Sequence, residues 1–203
     1  SAVLHDEYCR DRMNLSVITG FIGELLVGRA LQDAGYSVTH FGKQHGIDLE
    51  VPLLGVKIDV KTSLLKSELG CAHWGWALLS GSKNKALTFT HIVCVALDEA
   101  FASADVRVVA RSDLDDFPAG IPPFVNNKRI LLSLRDGESL PESATTKQKD
   151  AVRRCDELEA QGKLQRIQDI SALPSVLRSG CGAPTTTGGT EMVNVRRTRG
   201  AAR

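Results

Sequence analysis

Apolar and polar positions along this chain follow two periods. Residues 14 to 34 read as one long helix, with Asn14 or Ser16 available to cap its start and Gly35 placed where a left-handed residue closes a helix. Tyr36 to Phe41 alternates like a strand, and Gly42 to Gly46 reads as a loop. Leu49 and Val51, then Val56, Ile58 and Val60, mark two strands of period two joined by Pro52-Leu53-Leu54-Gly55. His91 to Leu97 is almost continuously apolar, as in a strand buried on both faces. Val106 to Ala110 and Ile130 to Leu134 are further strands, separated by a Pro-rich connection from Phe117 to Phe124. Residues 145 to 162 predict a second helix with Val152, Cys155 and Leu158 on one side. Helix, strands and helix in this order point to α/β or α+β packing around one mixed sheet. From Ser179 onward the chain turns to Gly, Thr and Arg, ending in Arg196-Arg197-Thr198-Arg199. Such a tract buries too little apolar area to offset its ordering entropy. The expectation is a folded domain over 1–170 and a disordered tail over 171–203.

Composition narrows the class. The 203 residues are 42% hydrophobic and 24% charged, which excludes collagen, coiled coil and wholesale disorder. No apolar run approaches the roughly 18 residues a membrane span needs, so no membrane partner is expected. With 25 Lys+Arg against 24 Asp+Glu, a nucleic-acid surface would have to be a local patch. The five cysteines are widely spaced, with no Cys-x-x-Cys pair, so a disulfide framework or zinc site is not expected. Reduced thiols and a cytoplasmic location are the default.

Three acids and one lysine carry the chemistry. Around a helix, the neighbours of Glu24 are Val17, Gly20, Phe21, Val27, Gly28 and Leu31, all apolar or glycine. A carboxylate there is partly desolvated, at a cost of several kcal/mol unless it finds a partner. In the hairpin, pairing Val51 with Val56 sets Glu50 opposite Lys57, Leu49 opposite Ile58 and Asp48 opposite Asp59. Opposed Cβ atoms lie about 4.5–5.5 Å apart, and like charges there destabilise. A divalent cation between the aspartates removes the conflict, and carboxylate oxygens are what Mg²⁺ prefers. Lys61, two residues beyond Asp59, shares its face. A bound cation with an adjacent lysine equips a site for phosphodiester hydrolysis.

Gly46-Ile47-Asp48, ten intervening residues, then Asp59-Val60-Lys61-Thr62-Ser63 resembles the PD-(D/E)xK nuclease superfamily. Glu24, on the helix before the first strand, matches that family's frequent extra acid. Ile47 stands where the family has proline, and Asp59 is the rarer choice over Glu. The resemblance covers roughly residues 14 to 97. It implies an α/β, restriction-endonuclease-like fold with a central mixed sheet flanked by helices, and Mg²⁺-dependent cleavage of DNA, with Mn²⁺ able to substitute. Asp48 and Asp59 would be metal ligands, Lys61 the catalytic lysine and Glu24 an auxiliary ligand or water-positioning group.

DNA would need basic and donor groups around the metal. Candidates are Lys43, Gln44 and His45 before Asp48, then Lys57, then Thr62, Ser63 and Lys66 after Lys61, and Ser82, Lys83, Asn84 and Lys85 in a polar stretch. Trp74 and Trp76 read as core and strand residues rather than stacking platforms, and Arg153 and Arg154 as a solvated helix face. A small type II restriction enzyme or related defence nuclease is the leading expectation. A junction-resolving or repair nuclease and an inactive DNA-binding subunit are the alternatives. One site per chain and two strands to cut suggest a homodimer.

Overall fold

A computed structural model of the protein describes residues 15–41, 46–78, 88–114 and 130–180. Helix α1 spans Leu15–Asp33. It is already running at Leu15, so Ser16 lies inside the first turn, and Asn14 is outside the described residues. Its end is the one predicted. Gly35 takes φ 86, its N–H donates to Gln32 O at 2.9 Å, and Tyr36 N–H donates to Leu31 O at 3.0 Å. This pair of bonds is the Schellman closure.

The strands are β1 (Thr39–His40), β2 (Leu49–Val51), β3 (Val56–Leu64), β4 (His73–Ala77), β5 (His91–Leu97), β6 (Ser103–Ala110), β7 (Ile130–Leu134) and β8 (Leu164–Ile167). The strand expected over Tyr36–Phe41 shrinks to Thr39–His40, and Tyr36 and Val38 pack on the core instead. A four-residue helix α2 (Arg111–Leu114) follows β6, and α3 is Thr146–Ala160. Thr145 and Gln148 cap α3 reciprocally, each side chain closing on the other's backbone.

Six strands form one mixed sheet in the order β1-β2-β3-β5-β6-β8, and β4 pairs with β7 in a separate two-stranded sheet. Only β3 and β5 run parallel in the large sheet. The architecture is therefore the expected α/β one. Residues 171–180 correct the expected boundary of the tail. A 3₁₀ turn at Ile170–Ala172 leads into helix α4, Leu173–Gly180. Leu173 and Leu177 are fully buried in the core that α1 also covers, so this segment does bury apolar area. Residues 181–203 lie outside the described residues, as does the connection from Phe117 to Phe124.

Two hydrophobic layers sandwich the large sheet. One joins Val27 and Leu31 of α1 and Leu173 and Leu177 of α4 to Val56, Ile58, Val60, Val93 and Val95. The other joins Trp74, Trp76 and Leu131 of the small sheet and Cys155 and Leu158 of α3 to Ile92, Cys94, Ala96 and Val109. Every residue of β5 is buried, as its unbroken apolar run requires. Helix α1 also departs from expectation: it has 19 residues with a window of mean hydropathy 1.3, long and apolar enough by composition to cross a membrane. In the fold, its Gly23, Val27, Gly28 and Leu31 are buried.

Candidate active site

The β2–β3 register is the one the sequence dictates: Leu49 opposite Ile58, Glu50 opposite Lys57, Val51 opposite Val56. Gly55 makes the turn in the left-handed conformation. Pairing runs out at Asp48. Its N–H still donates to Ile58 O at 2.8 Å, while its C=O accepts from Phe41 N–H at 2.8 Å. The side chain takes over where the backbone turns toward β1, and Oδ2 accepts the Val60 N–H at 2.7 Å. A buried amide without a partner would be costly, so this carboxylate is pinned to β3.

Asp59 and Lys61 alternate with Ile58 and Val60, which belong to the α1-side core. They therefore occupy the opposite face, in register with Ile92 and Cys94 of β5. Lys61 Nζ donates to Asp59 Oδ1 at 2.6 Å. Burial pushes the Asp59 carboxyl up to about 6 from its ordinary 3.8; Lys61 pulls it down, and Asp48 pushes it further up. Asp59 thus lies between the Lys61 ammonium and the Asp48 carboxylate, and burial outweighs the pull of the lysine.

This donor set fits a divalent cation. The oxygens are hard ligands, and Mg²⁺ keeps several waters and needs only one or two carboxylates from protein. Among the described residues, no group of three or more His, Cys, Asp or Glu side chains is placed to hold a metal. Glu24 is therefore not gathered with Asp48 and Asp59. It stands on α1 between two close seats. A Cβ on Gly23 would overlap Thr62 Oγ1, and a Cβ on Gly28 would lie 2.9 Å from His40 Cε1. Two of the glycines around Glu24 are thus filled by neighbouring strands rather than open. Gly20, with nothing within 4 Å, is open.

The expected DNA contacts divide. Lys43, Gln44, His45, Ser82, Lys83, Asn84 and Lys85 lie outside the described residues. Ser63 is buried, and the structure corrects its expected role: its Oγ accepts Gly75 N–H at 3.0 Å and donates to Leu64 O at 3.2 Å. It fastens β4 across the Lys61 face of β3 instead of meeting phosphate. Lys66 is exposed and forms an isolated antiparallel bridge with His73. Lys57 approaches Glu50 at 3.9 Å, the expected cross-strand pair. Trp74 and Trp76 are buried anchors whose Nε1 groups donate to Leu97 O at 2.9 Å and Val95 O at 3.1 Å.

Sequence reasoning missed a buried charge network on the same face. Arg107, 2% exposed, pairs across β5 with Cys94, which pairs with Lys61. Its Nε donates to Glu159 at 2.7 Å, its Nη2 to Ser133 at 2.6 Å, and its guanidinium stands over Trp76. Arg166 Nε donates to Asp105 at 2.6 Å. Arg107 Nη1 lies 3.1 Å from Asp105 Oδ2, but poorly aligned, and Nη1 makes no hydrogen bond. Strand β6 carries Asp105-Val106-Arg107 in period-two alternation, which was the available signal.

No family model and no curated protein matches this chain. A solved bacterial homing endonuclease, I-Ssp6803I, superposes with a TM-score of 0.39 at 14% identity, covering 73% of this chain and 96% of that one.

Proposed function

We propose that this chain is a Mg²⁺-dependent DNA endonuclease of the PD-(D/E)xK type, a small restriction or related defence nuclease. The observation that carries the reading is the meeting of Asp48, Asp59 and Lys61 at the point where β2 leaves β3. Asp48 and Asp59 would hold the cation. Bound there, it would supply a water of lowered pKa and offset charge on a phosphate oxygen. Lys61 Nζ, now engaged by Asp59 Oδ1, would stand free to orient water or neutralise the attacked phosphate once that carboxylate is occupied.

The test is a supercoiled plasmid incubated with the protein and Mg²⁺, beside Asp59→Asn and Lys61→Ala and an EDTA control. The expected result is nicked or linear DNA from the wild type only, with each variant slower by about 10²-fold or more. Equal cleavage by all three, or none by the wild type in Mg²⁺ or Mn²⁺, refutes the reading. Discrete fragments would assign a restriction-type enzyme, and preference for branched over linear DNA a junction-resolving one.

A further inference from the structure

Strands β3, β5 and β6 lie side by side, and their residues meet in rows across the sheet. One row is Lys61, Cys94 and Arg107, and the next toward one end of the sheet is Asp59, Ile92 and Val109. The row beyond is Lys57, Thr90 and Arg111: Thr90 N–H donates to Lys57 O and Arg111 N–H donates to Thr90 O, each at 2.8 Å. Period-two alternation puts all three rows on one face, that of Asp59. The Arg111 side chain agrees with this placement. Its guanidinium stands 5.9 Å over the ring of Phe89, which belongs to the core layer on that face. The Thr90 hydroxyl locks the row, accepting Lys57 N–H at 2.9 Å and donating to Lys57 O at 3.0 Å.

Both ends of this row are basic and reach solvent. The Lys57 side chain is 42% exposed and only loosely paired with Glu50, at 3.9 Å, and Arg111 is exposed. Arg107, on the same strand and face as Arg111, is instead buried and engaged by Glu159 and Ser133. Asp113, two residues past Arg111, acts on His91, whose place in β5 alternates onto the opposite face. Seating on an aromatic ring orders the Arg111 fork, so less freedom is lost when it meets an oxyanion. Lys57 lies two residues along β3 from Asp59, about 7 Å, and two strand spacings from Arg111, roughly 10 Å. The wider gap matches the rise of about three phosphates along one DNA strand.

We propose that Lys57 and Arg111 form a two-point grip on the sugar–phosphate backbone of a DNA strand, beside the phosphate that lies at Asp59. The choice of partner rests on the nuclease reading, and the closing experiment separates the two. Anisotropy of a labelled duplex in EDTA, read from about 50 to about 200 mM salt, tests the grip without cutting. The wild type should lose affinity along a straight log–log line as salt rises. Lys57→Gln and Arg111→Gln should each flatten that slope by about 0.9, and the double variant by about twice as much. Arg111→Lys keeps the charge and should keep the slope. Arg135→Gln, at an exposed arginine just after β7, should leave it unchanged. A slope that Arg111→Gln does not move overturns the proposal, as does equal flattening by Arg135→Gln. So does inorganic phosphate or poly-glutamate that displaces the duplex at equal charge concentration, which would assign the row to single anions or acidic peptide. A slope that answers to both variants in a protein that cuts nothing in Mg²⁺ or Mn²⁺ would sink the nuclease reading and leave the grip standing. Plasmid cleavage with an unmoved slope would sink the grip alone.

Discussion

An alanine at Gly23 would force α1 off β3. The added Cβ overlaps Thr62 Oγ1 and lies 2.9 Å from Thr62 Cβ and 3.0 Å from Cγ2. Turning the Thr62 side chain moves Oγ1 away but leaves its Cβ, which is fixed by the strand. The helix must therefore retreat, and Val27 and Leu31, fully buried one and two turns on, lose contact. Overpacking of this kind costs about 1–3 kcal/mol, while alanine regains about 1 kcal/mol of helix propensity over glycine. The expected net loss is up to about 2 kcal/mol. Gly20 provides the internal control: with no atom within 4 Å of an added Cβ, Gly20→Ala keeps the propensity gain and should stabilise by up to about 1 kcal/mol. Urea unfolding of both variants reads the difference, as opposite shifts of midpoint at constant slope. Thr62→Ala, which removes Oγ1 and Cγ2, should recover part of the Gly23→Ala loss. A Gly23→Ala protein as stable as Gly20→Ala would refute the close seat of α1 on β3.

Two further outcomes follow from the charges. The Asp59 carboxyl is lifted from 3.8 to about 6, so the folded chain holds a proton that the unfolded chain releases. Stability is therefore lost as pH rises from about 4 through 6, by about 3 kcal/mol at full ionisation. Asp59→Asn should be the more stable protein at pH 8 in EDTA, and the gap should close near pH 4; urea midpoints at the two pH values check it, and a constant gap contradicts it. Arg107→Met leaves Glu159 without its cation and Asp105 with Arg166 alone, and should cost about 3–5 kcal/mol. A thermal melt within a degree of wild type would show that the network is not a buried one.

The hairpin was legible because period-two patterning and a four-residue loop leave one register that buries Val56, Ile58 and Val60 together. Carried one residue further, that register points to Asp48 opposite Asp59; the ladder ends one pair earlier, at Leu49–Ile58, and Asp48 reaches β3 through its side chain instead. The same alternation sets Ser63 on the Lys61 face. It gave no sign that β4 crosses there and takes the hydroxyl, since that depends on a pairing distant in sequence. Beside Glu24, Gly23 and Gly28 are where Thr62 and His40 press in, a fact of tertiary contact that helix periodicity does not reveal. Helix α4 was hidden because its apolar positions, Leu173, Val176 and Leu177, are only three among Ser, Pro and Gly neighbours. Strand β8 was hidden for a similar reason: only Leu164 and Ile167 face inward.

The central claim is that Asp48 and Asp59 share a divalent cation. Calorimetric titration of the protein with Mn²⁺ and with Mg²⁺, beside Asp48→Asn and Asp59→Asn, tests it without any nucleic acid. The account predicts one saturable site in the wild type and its loss in each variant, both still folded. Binding that survives both substitutions, or a wild type that takes up neither ion, would contradict it.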